Sequence, residues 1–428
     1  MVSEISDRVS LDRLRADIEA NAEFGKHPEI DGHGRTVLPC SEANRKARER
    51  FVDRLRAAGL DVDVDAVGNI VGRWVPPTAS EGAAAVATGS HLDSVPRGGI
   101  FDGPLGVYGA LEAVRAIQEV DVEPVRPFEV VCFTEEEGHW FSDGILGSSV
   151  AAGMTDIETA HEITNGDGQR LETALDNIGF LGTGRVEAST WHSWVELHVE
   201  QGTRLKNAGI PVGIVTDIVG TTRCHIKING TSAHAGTTPM NDRCDALAAA
   251  SELTLHLESV AEEMAQDGVA VGTVGHMNVE PNAVNVIPGS VSLRLDIRDV
   301  SYANIETIVT AVKQKLEELE RERGVTTSFN RPYDVQPTEL SPKCRDALET
   351  GAQQAAVDTM QMHSGAGHDT MAVAKATDAG LLFAPSEEGI SHNPMEWTEW
   401  EDCATAVEVL AEGIASLATD TEISKTND

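Results

Sequence analysis

Apolar positions recur at helical spacing over residues 11–22 and 42–58, the second run stopped by Gly59. Residues 62–74 alternate like a pair of strands broken at Gly68-Asn69, and 83–87 is an apolar run short enough for a buried strand ended by Gly89. Helical periodicity returns over 106–120, with Leu111, Val114 and Ile117 on one face. The pattern then predicts a buried strand at 128–133, a short helix at 171–178, and a strand at 194–199. In that last strand Val195, Leu197 and Val199 alternate with Glu196, His198 and Glu200. Strand, polar loop and helix in this order are the grammar of an α/β sheet, whose ligands gather at the carboxyl edge. After Gly220 the grammar changes to a strand at 223–229, a long helix at 242–265, strands at 269–278 and 290–299, and a charged amphipathic helix at 305–323. From Pro332 the α/β pattern resumes, with a helix at 343–356, an apolar segment at 380–384, a last helix at 401–418 and a frayed tail from Thr419. The expected fold class is therefore α/β. A mixed-sheet domain with helices on both faces is built from 1–220 and 331–428 and interrupted by an inserted α+β domain at 221–330.

Composition narrows the partners. The chain has 428 residues, enough for two domains or one with an insertion, and a formal net charge of −36. Phosphate binding over a large surface needs basic residues, so nucleic acid and anionic membrane are excluded as partners. Arginine outnumbers lysine and the acids are spread along the whole chain, a pattern resembling cytosolic proteins adapted to high salt, where screening relieves self-repulsion. With 41% hydrophobic residues in periodic runs, the chain is not an acidic disordered protein. Six scattered cysteines with no CxxC pair exclude a thiolate zinc site and suit buried thiols in a reducing compartment. No signal-type apolar core and no run of membrane-span length is present, so a soluble cytoplasmic protein is expected.

The candidate chemistry lies at the ends of the expected strands. His91 and Asp102 occupy a loop bent by Gly89, Pro96, Gly98, Gly99 and Gly103; Glu136 and Glu137 follow the strand at 128–133; His198 lies on the polar side of 194–199; His392 sits in the turn-rich Gly389-Ile390-Ser391-His392-Asn393-Pro394. Histidine and carboxylate without thiolate suit Zn²⁺, Mn²⁺ or Co²⁺. Two such cations need a bridging anion, a task a carboxylate can perform and an imidazole cannot, and Asp102 is the residue assigned to it. The adjacent pair Glu136-Glu137 fits a division of labour in which one carboxylate ligates and its neighbour takes a proton from water. Each element also has a plainer reading. Glu135–137 reads equally as a solvated acidic run, Glu196, His198 and Glu200 as an exposed strand face, His368 and Asp369 as ordinary loop polars, and Arg298 as a sheet-edge charge.

Taken in order, GSHLDSVPRGGIFDG, TEEEG, ELHVEQG, SAHAGTTPM, PNAVNVIPG with LDIRD, SGAGHD and GISHNP resemble the M20-type metalloamidases. Within these they are similar to the branch of N-carbamoyl-L-amino-acid hydrolases, allantoate amidohydrolases and β-ureidopropionases. The resemblance implies one metal held by His91, Asp102 and His198 and another by Asp102, Glu137 and His392, with Glu136 as general base. Peptidase members tend to carry a carboxylate where this chain has His198, which favours the carbamoylase branch. The resemblance further implies that the inserted domain is a lid through which a homodimer forms. His234 and Asn285 would stabilise the oxyanion, Arg298 would grip a substrate carboxylate, and Gln201 and Gly367 would contact the ligand. The substrate would be a small ureido or amide compound bearing a carboxylate. Where relatives read Ser-Arg after Glu-Glu-Gly, this chain has His139-Trp140, which removes a guanidinium near the base. Two rival readings are a dipeptidase or aminoacylase using the same metals, and a catalytically silent dimeric binding protein on the same scaffold.

Overall fold

A computed structural model describes residues 5–266 and 268–419; the rest of the tail expected from Thr419 lies outside the described residues. In chain order the strands are β1 (Asp61–Val64), β2 (Ile70–Trp74), β3 (Val86–His91), β4 (Phe128–Phe133) and β5 (Ser193–Val199). They continue with β6 (Val212–Ile218), β7 (Gly220–Asn229), β8 (Ala233–His234), β9 (Val271–Glu280) and β10 (Val286–Ile287). The last are β11 (Ser290–Asp299), β12 (Thr326–Val335), β13 (Thr338–Glu339), β14 (Thr359–Ser364) and β15 (Ala379–Ala384). The chain divides into two compact units, residues up to 216 with those from 340, and residues 217–339.

The large sheet runs β1-β2-β4-β3-β5-β15-β6-β13, with β14 also paired to β6. Its centre, β4-β3-β5-β15, is parallel, and β2 and β6 flank it antiparallel. Every residue of those four central strands is buried. Alternation along β4 shows why. Phe128, Val130 and Cys132 join the core that includes helices Pro104–Gln118 and Trp400–Thr419, while Val131 and Phe133 join a second core with Ala151, Trp194 and Val373. Helices thus cover both faces, as parallel sheets require. The same cover overturns the exposed-face reading of 194–199, because Glu196 and His198 are interior on β5. β3 also lies further along than expected: it passes through Gly89 and ends at His91. A Cβ at Gly89 would collide with the Val131 carbonyl on β4, so glycine there permits the pairing instead of ending the strand.

The second unit has an antiparallel sheet in the order β12-β7-β11-β9. Helices Ala246–Ala265 and Tyr302–Arg323, capped by the side chains of Asp245 and Ser301, share one core with it through Ile226, Leu293, Leu295, Leu253 and Ile308. β8 and β10 form a separate short ladder with Val286 opposite His234. β12 crosses the boundary expected at 330: it tolerates Pro332 because that residue falls inside a register break between Asn330 and Tyr333. No helix among the described residues is long and apolar enough to cross a membrane.

Candidate metal centre

Three strand ends and two loops bring the polar residues together. His91 closes β3, and its Nδ1 lies 3.1 Å from the Asp93 carbonyl. A carbonyl only accepts, so Nδ1 carries the proton and Nε2 presents a lone pair. His198, on β5, repeats the arrangement with Nδ1 3.1 Å from the Val199 carbonyl. Both Nε2 atoms face Asp102 Oδ1, at 3.5 Å from His91 and 3.3 Å from His198. The other oxygen, Oδ2, lies 3.4 Å from His392 Nε2, which is also 3.2 Å from Glu137 Oε2. Asp102 can come this close because the next residue, Gly103, has φ +81°, and a Cβ there would fall 2.6 Å from the His91 ring. Glu136 completes the group, with Oε2 3.6 Å from His91 Nε2.

These residues fit a pair of cations. Ligand atoms of His91, Asp102 and His198, and of Asp102, Glu137 and His392, converge as two sets sharing one carboxylate. Two donors on a tetrahedral cation with bonds of about 2.0–2.1 Å stand roughly 3.3 Å apart, and the four N···O separations above match that edge. His91 Nε2 is buried without a hydrogen-bond partner, although two carboxylate oxygens lie just beyond bonding range. The field asks for positive charge. Against burial, which opposes it, His198 and His91 hold the Asp102 carboxyl well below the usual range. The hydrogen bond to Glu137 pushes His392 up to about 9. Burial raises Glu136 well above the usual carboxylate range, and Asp369, Glu137 and Asp102 add to it against His91.

Of the three consecutive glutamates, each has a different duty, so the solvated-run reading fails. Glu135 is buried and its Oε1 accepts the N–H groups of Trp140, Phe141 and Ser142 at 3.1, 2.9 and 3.1 Å. That grip is on backbone, so the loop carrying His139-Trp140 is fixed whatever those side chains are. Glu137 takes the Val95 N–H at 3.3 Å through Oε1, leaving Oε2 for His392. Around β5, Glu196 accepts from Ser90 Oγ and Thr370, and Glu200 caps the turn at Arg204 and Leu205. Only His198 of that face points to the centre. His368 and Asp369, read as loop polars, are buried; the His368 ring meets His198 edge-on at 4.6 Å, and burial pushes its imidazole well below the usual range.

Two residues escaped the sequence reading altogether. Glu396 is fully buried and accepts the N–H groups of Phe101 and Asp102 at 3.0 and 3.1 Å. Ser391 Oγ lies 2.8 Å from Asp102 Oδ2 and 3.0 Å from Glu396 Oε2, tying the two carboxylates together. Burial and Asp102 push Glu396 up to about 7. The sequence offered only an acid just past GISHNP as a signal. Among the expected substrate residues, Gln201 donates to Asp102 Oδ2 at 3.0 Å, and Gly367 lies exposed in the loop before the helix Asp369–Val373. His234, Asn285 and Arg298 belong to the second unit. There His234 pairs with Val286 on the β8–β10 ladder, and just beyond it the Ala235 N–H donates to the Asn285 carbonyl. Arg298 is engaged by Asp296 at 2.7 Å on β11.

The family profile described as peptidase family M20/M25/M40 matches residues 87–416. An N-carbamoyl-L-amino acid amidohydrolase of Geobacillus stearothermophilus is 38% identical over 400 residues, covering 92% of this chain and 96% of its own. A ureidoglycolate hydrolase of Oryza sativa subsp. japonica is 35% identical over 96% of this chain and 85% of its own. The crystal structure of a hydantoinase/carbamoylase family amidase from Burkholderia multivorans aligns with a TM-score of 0.92 at 32% identity, covering 96% of this chain and 99% of that one.

Proposed function

The chain belongs to peptidase family M20/M25/M40, and from that premise we propose that it is a dinuclear-metal amidohydrolase. Its reaction cleaves the ureido C–N bond of an N-carbamoyl L-amino acid or a related ureido acid to give the amino acid, ammonia and carbon dioxide. The observation that carries this reading is the division of Asp102, one oxygen toward His91 and His198 and the other toward His392.

His91, Asp102 and His198 would hold one divalent ion, Zn²⁺, Mn²⁺ or Co²⁺, and Asp102, Glu137 and His392 the other. Bound there, such ions polarise a carbonyl and acidify water. Glu136 accepts the proton of the attacking water and returns it to the departing nitrogen, the work of a carboxylate placed beside both ligand sets. His234 and Asn285 donate hydrogen bonds to the oxygen that gains charge on the ureido carbonyl. Arg298 grips the substrate carboxylate by its planar fork, and Gln201 and Gly367 contact the ligand. The unit at 217–339 serves as a lid through which two copies associate, which light scattering in solution checks.

The direct experiment measures ammonia release from N-carbamoyl-L-methionine, allantoate and β-ureidopropionate, with and without a chelator. Chelator-sensitive ammonia release from one of these supports the proposal. Turnover of dipeptides or N-acyl amino acids alone assigns a dipeptidase or aminoacylase instead, and no turnover of any substrate favours a silent binding protein.

A further inference from the structure

The four-stranded sheet of the second unit is alternately buried and accessible along β7 and β11, so one face points away from its helices. Register lines up Asn330, His225, Arg294 and His276 in a single row, one residue from each strand. Lys227 lies in the next row, opposite Ser292. Directly opposed residues have Cβ atoms about 5 Å apart and diagonal ones about 7–8 Å. Arg294 therefore neighbours both imidazoles and stands diagonally from Lys227. These residues line a cavity of about 290 Å³ with no acid in its wall.

That absence is informative in a chain with 69 acids against 33 lysines and arginines. Asp296, two residues along from Arg294, is committed to Arg298 and Arg223. Among the described residues neither Lys227 nor Arg294 forms an ion pair. Both edge strands also break register beside this row: β9 between His276 and Val274, opposite Arg294 and Leu295 of β11, and β12 between Asn330 and Tyr333. Bulges re-aim side chains and are enriched beside sites. Arg298 is on the same strand face but four residues on, about 13 Å away at 3.3–3.4 Å per residue.

We propose that this face binds a small oxyanion carrying at least two negative charges, held by Arg294 and Lys227 with His225 and His276 as further donors. A phosphate group or a dicarboxylate has this chemistry, and neither is the single carboxylate assigned to Arg298. The site does not depend on the hydrolytic reading, because none of its residues serves that reaction.

The test is isothermal titration of the full chain, at low ionic strength, with inorganic phosphate and separately with succinate. One saturable site per chain is expected for at least one of the two, weakened about tenfold or more by Arg294→Gln and by Lys227→Gln. Arg298→Gln should leave that affinity in place. Both substituted side chains are exposed, and circular dichroism melts establish that the variants fold; Ser292→Ala gives a third, milder variant. Phosphate alone binding assigns a phosphate-bearing ligand, and succinate alone a dicarboxylate. No saturable binding, or binding that survives both substitutions because it occurs at the metals, overturns the proposal whether or not the enzyme hydrolyses ureido acids.

Discussion

Glu396 holds Asp102 from behind: its Oε1 accepts the Asp102 backbone N–H at 3.1 Å across 294 residues of sequence. The carboxylate shared by both ligand sets is thus anchored on its main chain by Glu396 and on its side chain by Ser391 and Gln201. Positions held from two sides lose little order when a ligand leaves, which is what a site for repeated catalysis needs.

Removing that anchor should be costly. Glu396→Ala leaves two buried N–H groups without a partner, at about 1–3 kcal/mol each. Glu396→Gln keeps an acceptor oxygen for them and should recover most of the stability. We expect the alanine variant to unfold at lower temperature and to bind metal more weakly, with glutamine close to wild type in thermal unfolding. Equal melting curves for wild type and alanine would remove the anchoring role.

Gly103 supports the same geometry from the front. Its φ of +81° and the 2.6 Å approach of a built Cβ to the His91 ring leave no room for a side chain. A residue forced into such a conformation costs on the order of 1–3 kcal/mol. Gly103→Ala should weaken metal binding through displacement of His91, read by metal titration of the folded variant.

Glu136 has a separable role. Glu136→Gln keeps the shape of the side chain and all five ligands, so metal content measured by mass spectrometry should be unchanged. Proton transfer by a positioned group contributes about 10²–10⁴-fold, and the rate should fall by that order. Near-normal turnover by this variant would assign the proton transfer elsewhere.

Metal removal follows from the donor set. Without cations, Asp102, Glu136 and Glu137 crowd one buried site beside His91, His198 and His392. Chelation should lower the melting temperature, and Zn²⁺, Mn²⁺ or Co²⁺ should restore it. Ca²⁺, which prefers oxygen ligands, should restore less because three of the five candidate ligands are imidazoles. Full recovery with Ca²⁺ would argue against this assignment.

Arg298 predicts a kinetic split. Arg298→Leu should raise KM for carboxylate-bearing substrates and leave an analogue lacking the carboxylate little affected. Similar losses on both kinds of substrate would indicate that Arg298 acts by holding Asp296 and β11 in shape.

The five candidate ligands were legible as polar residues because they sit at strand ends and in turn-rich loops, where glycine, proline and a lone polar residue stand out against apolar runs, and the fold brings them together. The residues that position them were not. Glu196 and Glu396 accept from N–H or hydroxyl groups of distant segments, Glu135 and Glu200 from the turns that follow them, and only the folded chain shows that all four are buried. Strand alternation misled at β5 for the same reason, since cover on the second face comes from distant segments. β6 and β14 were not read as strands, and β12 was hidden by its Pro332 and its many polar residues.

Charge sets a last expectation for the whole molecule. With 69 acids against 33 lysines and arginines, the formal net charge of −36 leaves most acids without a partner, and their repulsion opposes compactness. The Debye length falls from about 10 Å at 0.1 M salt to about 3 Å at 1 M. Surface ion pairs such as Arg15–Glu19 also weaken on that change, but exposed pairs contribute only about 0–1 kcal/mol each. Screened repulsion should therefore outweigh lost pairing, and the melting temperature should rise between 0.1 M and 1 M KCl. Repeating the measurement with sodium sulfate and sodium thiocyanate separates screening from salt-specific effects on apolar burial. A melting temperature that falls with KCl would mean that paired charges, not the surplus of acids, dominate the surface.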